Sequence, residues 1–411
     1  VFTMKKYYPW VVVALLSVVA LLNYLDRQML STMQQYMAED FAELKNAEMF
    51  GVLMSAFMWV YAFVSPFGGI VADKVSRKWL VVCSLAVWSA VTCLMGYAES
   101  FDQLWWLRAM MGISEALYIP SALSLIADWH KGGSRSLAVG LHMTGLYLGQ
   151  ALGGFGAMVS DQLSWQATFQ ILGYFGVAYA VVLIFFLKEN RTEKPRAATT
   201  ETVQGNKVAL LFASVGTVLC IGAFWALLAA FALSSLPGWA TKNWLPTLLH
   251  QNLSLDMVVA GPWATISLAA ASFIGAFLGG SISDRWVKTN IRGRVFTSAI
   301  GISLMVPSLA CLGIGNSMAM VVGGVLLFGI GYGIFDTNNM PILCQFVPTN
   351  SRATAYGLMN MTGVLFGALI TEVMPRLGSD MGVIFASMAV VAAFTVTIQL
   401  TFLRPKVDNM E

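Results

Sequence analysis

Charge is what this chain has least of. Only 11% of its 411 residues are Asp, Glu, Lys or Arg, against about 25% in soluble domains. Histidine is rarer still, at three residues. The five cysteines (Cys83, Cys93, Cys220, Cys311 and Cys344) stand singly in apolar runs. They form no CxxC pair and no metal-ligand spacing, so a disulfide scaffold and a zinc site are excluded and buried free thiols are expected. A Gly-x-x-x-x-Gly-Lys-[Ser/Thr] phosphate loop is missing, which excludes a nucleotide-driven pump. HExxH and Gly-x-Ser-x-Gly are missing too, so no enzyme, metal or cofactor is expected. A net charge of +3 gives no reason to expect nucleic acid.

Apolar residues fill the space. They make up 57% of the chain, and mean hydropathy is +0.71. No soluble core hides that much apolar surface, so the surrounding solvent is a bilayer. A spanning helix takes about 20 apolar residues. Twelve such runs are predicted, at 9–33, 49–72, 79–98, 103–128, 136–160, 166–187, 208–249, 261–282, 295–315, 318–344, 354–375 and 382–403. The seventh is long, and Pro237-Gly238 is expected to break it into a bendable outer end. The first is expected to stay in place as an anchor. The polar, proline-containing segment 189–207 reads as a cytoplasmic linker between two six-helix halves, 1–188 and 208–411. The expected fold is thus an all-α, multi-pass plasma (inner) membrane protein.

All but five of the 24 Lys and Arg residues fall in segments that share one side if twelve spans alternate. That side is expected to be the cytoplasm, with both termini on it. The five others are Lys45, Lys242 and Arg376 toward the far side, and Arg27 and Arg108 inside helices. Lys242 is expected to anchor at the far interface. Internal repetition is also visible. Gly69-x-x-x-Asp73-Lys74-x-x-Arg77-Lys78 returns as Gly280-x-x-x-Asp284-Arg285. Gly112, Arg135 and Gly140 return as Gly329, Arg352 and Gly357. Two like-oriented halves are the pattern of alternating-access transporters, with a substrate site near the midplane.

Charges inside spans are costly and mark function by default. Asp26 and Arg27 sit in the first span, and Arg108 and Glu115 in the fourth. Arg108 and Glu115 lie two helical turns apart on one face, whereas Asp26 and Arg27 diverge by about 100°. Asp26 is expected to turn toward Arg108, and Arg27 toward a cavity. An arginine can hold a carboxylate bidentately. A carboxylate between desolvation and a nearby arginine can bind a proton in one state and release it in another. Asp336, Asn338, Asn339 and Asn360 either bond substrate hydroxyls or satisfy helix backbone. Tyr118, Tyr147 and Gln150 either line a cavity or pack helices, and His142 either titrates or bonds a neighbouring helix.

The Gly69–Lys78 segment, with its second copy, resembles the cytoplasmic signature of the major facilitator superfamily. Within it, Asn23-Tyr24-Leu25-Asp26-Arg27, Ser55–Ala62, Arg108-x-x-x-Gly112-x-x-Glu115-Ala116 with Pro120, and Trp244-Leu245-Pro246-Thr247 resemble the anion:cation symporters, the branch of sialin-like, hexuronate and galactonate carriers. Ser65 and Val364 depart from the sugar-acid carriers, where Gln and Asn are common. The resemblance implies proton-coupled symport of a small organic anion, such as a hexuronate, aldonate or sialic acid. The proton gradient is the expected energy source, with sodium the other candidate, and the expected state is a monomer. It implies proton coupling at Asp26 and Glu115, balanced by Arg108. Substrate binding would fall on Arg27 and Tyr61, with Asn23 beside them, and a conformational latch on Gly69, Asp73, Arg77, Lys78, Asp284 and Arg285. Asn-Tyr-x-Asp-Arg and Ile126-Ala127-Asp128 also resemble spinster-type lipid exporters, the alternative reading. A membrane sensor of the same fold is the third and weakest, as the chain carries no signalling domain.

Overall fold

The computed structural model describes residues 2–130, 134–189, 215–348, 351–378 and 380–405. Among them the regular structure is helical, without strands. Among the described residues, eleven helices are long and apolar enough to cross a membrane. The predicted fifth span is helical as well, but it is interrupted at Gly154-Phe155 and carries His142, Thr144 and Gln150 on its length. The chain divides into two compact units, residues 1–202 with 257–262, and residues 203–256 with 263–411. Of the expected linker only Glu189 is among the described residues.

The first unit contains α1 (Phe2–Met29), the short α2 (Gln34–Asp40), α3 (Ala47–Lys74), α4 (Arg77–Met95), α5 (Phe101–Glu115), α6 (Tyr118–Trp129), α7 (Arg135–Gly153), α8 (Gly156–Gln162) and α9 (Trp165–Phe186). The second contains α10 (Gly222–Leu253), most of α11 (Met257–Trp286), α12 (Gly293–Ile314), α13 (Met318–Phe346), α14 (Arg352–Val373) and α15 (Met381–Phe402). Local chemistry sets several of these boundaries. Asn46, Ser100, Ser164, Ser317 and Asp380 each accept a hydrogen bond from the first-turn backbone of the helix that follows. Such caps satisfy donors that a helix start leaves over. The fourth span is split into α5 and α6 because Pro120 cannot take the carbonyl of Ala116, four residues back. That displaced carbonyl lies against Gly68 of α3, where a Cβ would come within 2.6 Å of it.

Each unit pairs its helices in the same way. In the first, α1 packs on α7, α4 on α9, and α3 on α5. In the second, α10 packs on α14, α12 on α15, and α11 on α13. Close backbone approach underlies these seams. Gly145, Gly149 and Gly153 recur every four residues along α7. A Cβ on the first two would stand 2.3 and 2.2 Å from the carbonyl oxygens of Ser17 and Leu21 in α1. Gly275 and Gly279 of α11 meet Ile330 and Ile334 of α13 in the same manner. Without a hydrophobic drive between helices in lipid, such small-residue contact supplies much of the association.

Two expectations fail here. Pro237-Gly238 does not break α10, which runs unbroken for 32 residues through Pro237 and Pro246. Thr241 Oγ1 donates to the Pro237 carbonyl (2.7 Å), and Gly238 exists to seat a ring, since a Cβ there would lie 2.5 Å from Tyr332 Cε2. The cysteines are free but not buried. Cys83 and Cys220 are exposed and the other three only half-buried. An apolar run implies burial only in a soluble protein; here Phe185, Phe277 and Val390 are also largely exposed, as lipid-facing residues are.

The glycine seam yields a prediction. Gly149→Val should loosen α1 from α7 and cost about 1–3 kcal/mol or more, because the neighbour is backbone and cannot swing aside. Thermal unfolding of the purified protein should show a lowered midpoint, while the same change at Gly140, with nothing within 4 Å of its Cβ position, should leave it near the parent value.

Candidate functional site

Three helices of the first unit meet around Arg27. On α1, Asn23, Tyr24 and Arg27 are spaced so that they share a face. On α3, Phe57 and Tyr61 stand one turn apart. On α5, Glu115 occupies the last position before the Pro120 break. Gly112 brings these helices together: a Cβ there would lie 2.6 Å from the Phe57 carbonyl and 2.9 Å from the Tyr61 nitrogen. The Arg108-x-x-x-Gly112-x-x-Glu115 spacing therefore has a mechanical sense. The glycine lets α5 close on α3, and one turn later the carboxylate reaches across to α1.

The contact formed is a charge-assisted bond. Arg27 Nε donates to Glu115 Oε2 at 2.6 Å, with the Glu115 side chain wholly buried. The guanidinium lies over three rings, at 5.1 Å from Tyr24, 4.6 Å from Phe57 and 4.8 Å from Tyr61. Phe57 also faces the second guanidinium, Arg108, at 5.2 Å. Cation–π contact of this kind strengthens when water is removed. On the other side of α1, Asp26 is buried and accepts from Thr92 Oγ1 of α4. It also interacts electrostatically with Arg108. Arg27 thus meets Glu115 directly, while Asp26 is tied to α4 as well as to Arg108.

Not every polar atom here is satisfied. Among the described residues, Asp26 Oδ1, Arg27 Nη2, Arg108 Nε and Glu115 Oε1 are buried with no hydrogen-bond partner, and the buried Asn23 amide lies within reach of Glu115. Orphaned buried groups are rare and costly. Here they gather around two cations and two carboxylates, offering donors for an anion and acceptors for a proton.

The other candidates divide. Tyr61 belongs to the cage. Tyr118 is fully buried, donates to the Leu16 carbonyl (2.8 Å) and packs edge-on to Trp88, which is helix packing. His142 is fully buried beside Tyr118. Gln150 is buried and Tyr147 half-buried, both on α7. In the second unit, Asn338 donates to the Ile334 carbonyl one turn back (2.8 Å), and Asn339 to Asp336 Oδ1 (3.3 Å). Asn360 is half-buried on α14. Sequence reasoning passed over Phe57 and Thr92. Phe57 lies inside the quoted Ser55–Ala62 stretch, one helical turn before Tyr61, and that spacing was its only signal.

The expected latch is partly visible. The side chain of Asp73 and the surroundings of Gly69 lie outside the described residues. Arg77 forms a salt bridge with Asp128 of α6. The α4 N-terminus is capped by Glu189, which accepts from Ser76 Oγ (2.6 Å) and from the Arg77 backbone N–H (3.0 Å). A carboxylate there also opposes the helix dipole favourably. Lys78 Nζ donates to the Ile184 carbonyl at 2.7 Å. In the second unit, Asp284 meets Arg294 (3.4 Å), and Arg285 is exposed.

The sequence pattern of the Major Facilitator Superfamily matches residues 16–372. The chain belongs to that family. It is 25% identical to a hexuronate transporter of Bacillus subtilis, over 92% of this chain and 93% of that one. It is 23% identical to a probable galactarate/D-glucarate transporter of Escherichia coli, over 88% of each. These are relatives from the anion:cation symporter branch that the helix motifs resemble. Among solved structures, a bacterial homologue of the human lysosomal transporter spinster superposes with a TM-score of 0.80 over 98% of both chains, at 19% identity. That likeness is one of fold. The chain is a multi-pass integral membrane protein and a transporter by family, not an enzyme.

The buried pair makes a stability prediction independent of transport. Glu115→Ala leaves Arg27 without its carboxylate and should cost about 3–5 kcal/mol. Arg27→Met combined with Glu115→Leu should recover most of that loss. A double-mutant cycle on thermal midpoints in detergent checks this: additive losses would mean the two residues do not act as a pair.

Proposed function

We propose that the protein is a proton-coupled symporter of a small sugar acid, working by alternating access. One observation carries the reading. Arg27 is a caged, membrane-embedded cation, and it and its carboxylate partner each retain an unmet hydrogen-bonding atom. A substrate carboxylate has the charge and the paired acceptors to take Arg27 Nη2 and the Asn23 amide. In doing so it competes with Glu115. A buried carboxylate that loses its cation is costly unless it takes up a proton. Anion and proton therefore load together, which is symport.

Roles follow from position. Arg27 is the carboxylate clamp, with Tyr61, Tyr24 and Phe57 fixing its orientation. Glu115 is the proton-coupling group nearest the substrate. Asp26 is the second, connected through Arg108 and anchored by Thr92. Arg108 keeps the cluster neutral while protons move. The polar residues Asn338, Asn339 and Asn360 are candidates for the sugar hydroxyls, and Arg77, Lys78, Asp73 and Asp284 for the latch. The activities of the relatives, hexuronate and galactarate/D-glucarate transport, support the substrate class.

In liposomes, the purified protein should accumulate a sugar acid when the outside is acidified. A panel of hexuronates, aldonates and aldarates that shows no pH-driven uptake, while a lysolipid moves, would replace this reading by lipid export. Arg27→Ala should abolish binding of the anion, and unchanged affinity would remove Arg27 from the site. Glu115→Gln should keep substrate exchange across the membrane but lose proton-driven accumulation. Full accumulation in that variant would show that coupling runs elsewhere.

A further inference from the structure

The first unit holds a small cavity that the Arg27 cage does not use. It lies between α1, α4 and α9. On α1 it is lined by Leu22, Leu25 and Asp26, whose spacing puts them on one face. Asn23 and Arg27, each one position further along, turn about 100° away. No residue of α3 or α5, the helices that close around Arg27, is in the lining. Asp26 therefore stands between two surroundings, the Arg108 charge and this cavity.

Two hydroxyls of α4 complete the polar wall. Thr92 Oγ1 donates to Asp26 Oδ2. A hydroxyl has one proton and two lone pairs, so that oxygen can still accept. Ser89 Oγ points across to α9, where a Cβ on Gly176 would lie 2.1 Å from it. The glycine leaves the hydroxyl its place. Asp26 Oδ1 is buried and has no hydrogen-bond partner among the described residues. A buried acceptor left in that state is costly. The cavity leaves about 10 Å³ for the centre of a water molecule, room for one. A buried water typically takes about three polar partners. Asp26 Oδ1, Thr92 Oγ1 and Ser89 Oγ are three.

We propose that one water molecule binds here against Asp26 Oδ1, with Ser89 as its positioning residue, and that this water lets Asp26 pass between its charged and protonated forms. The inference rests on the reading of Asp26 as a proton-coupling group. A water can turn round in place. It donates to Oδ1 while the carboxylate is charged. Once Oδ1 carries a proton, the acid O–H donates to the water, which turns its own hydrogens to Ser89 and Thr92. A fixed donor such as a backbone N–H serves the charged form only. Arg27, Arg108 and Glu115 act on Asp26 electrostatically, while α4 and α9 bring no titratable side chain to the cavity.

Infrared difference spectra between acid and alkaline pH test it, taken on the full chain in liposomes in ordinary and in oxygen-18 water. The wild type should show a carboxylic-acid C=O band that Asp26→Asn removes. A water O–H band that shifts with oxygen-18 should accompany it and vanish in the same variant. Ser89→Ala should lose or move the water band. In that variant the charged form of Asp26 loses a charge-assisted bond and the protonated form only a neutral one, so the pH of half-maximal sugar-acid uptake should rise by roughly one unit, with KM at acid pH within about twofold. A purely structural serine would alter rate or KM and leave the pH profile in place. The wild-type spectrum decides even where Ser89→Ala folds poorly: an Asp26 band with no oxygen-18-sensitive partner overturns the water. So does a water band that sodium chloride abolishes and choline chloride does not, since a cation would then occupy the cavity. If Asp26→Asn removes no carboxyl band, Asp26 does not titrate, and this inference falls while coupling through Glu115 stands. If uptake is not driven by pH at all, the symport reading fails, and the Asp26 and water bands still decide the cavity.

Discussion

The bond between Arg27 and Glu115 is the constraint on which the first unit depends. A guanidinium and a carboxylate inside membrane helices cost about 2.5–3.5 kcal/mol each even by permissive insertion scales. They are tolerable only where they meet, and meeting requires three helices in register. Gly112 supplies the close approach of α5 to α3. Pro120 ends α5 directly after the carboxylate, and Gly68 accepts the carbonyl that the proline displaces. The Phe57 ring is close to both guanidiniums, 4.6 Å from that of Arg27 and 5.2 Å from that of Arg108. Gly112 and Pro120 each look like an isolated helix-packing or helix-breaking residue. Together they aim one carboxylate at one cation.

Much of this was legible because charge is so scarce. In a chain with so few ionisable residues, four inside predicted spans single themselves out, and their family resemblance pairs α1 with α5. The pairing itself was less legible. Asp26 interacts with Arg108 as expected, but Arg27, expected to turn toward a cavity, bonds Glu115. Helical arithmetic gives the angle between Asp26 and Arg27 but not the rotation of α1 in its bundle. That rotation is set by the Gly145–Gly149–Gly153 ridge of α7, a tertiary contact. Phe57 and Thr92 were invisible for a related reason: one is an ordinary apolar residue and the other an ordinary helix hydroxyl until a neighbour makes them otherwise.

Where sequence rules misled, the bilayer was the cause. Pro237-Gly238 is a reliable break in water, where freed backbone groups are solvated. In a bundle, Thr241 and the Tyr332 ring make the unbroken helix the better solution. Cysteines in apolar runs signal burial when the exterior is water, and signal nothing when it is lipid.

Unmet hydrogen-bonding capacity is distributed unevenly, and the distribution is informative. Hydroxyls along the helices, such as Ser235, Thr241, Thr297, Thr362 and Thr395, return to carbonyls one turn back and are satisfied locally. Among the described residues, others such as His142, Ser234, Asn338 and Gln399 also fail this accounting and are scattered, but Asp26, Arg27, Arg108 and Glu115 are neighbours in one cluster of two cations and two carboxylates. A purely structural ion network would gain by completing its bonds, since a half-satisfied polar cluster is worse than an apolar one. Incompleteness held in place by rigid glycine seams is what a site needs if its missing partners are to arrive from outside and leave again.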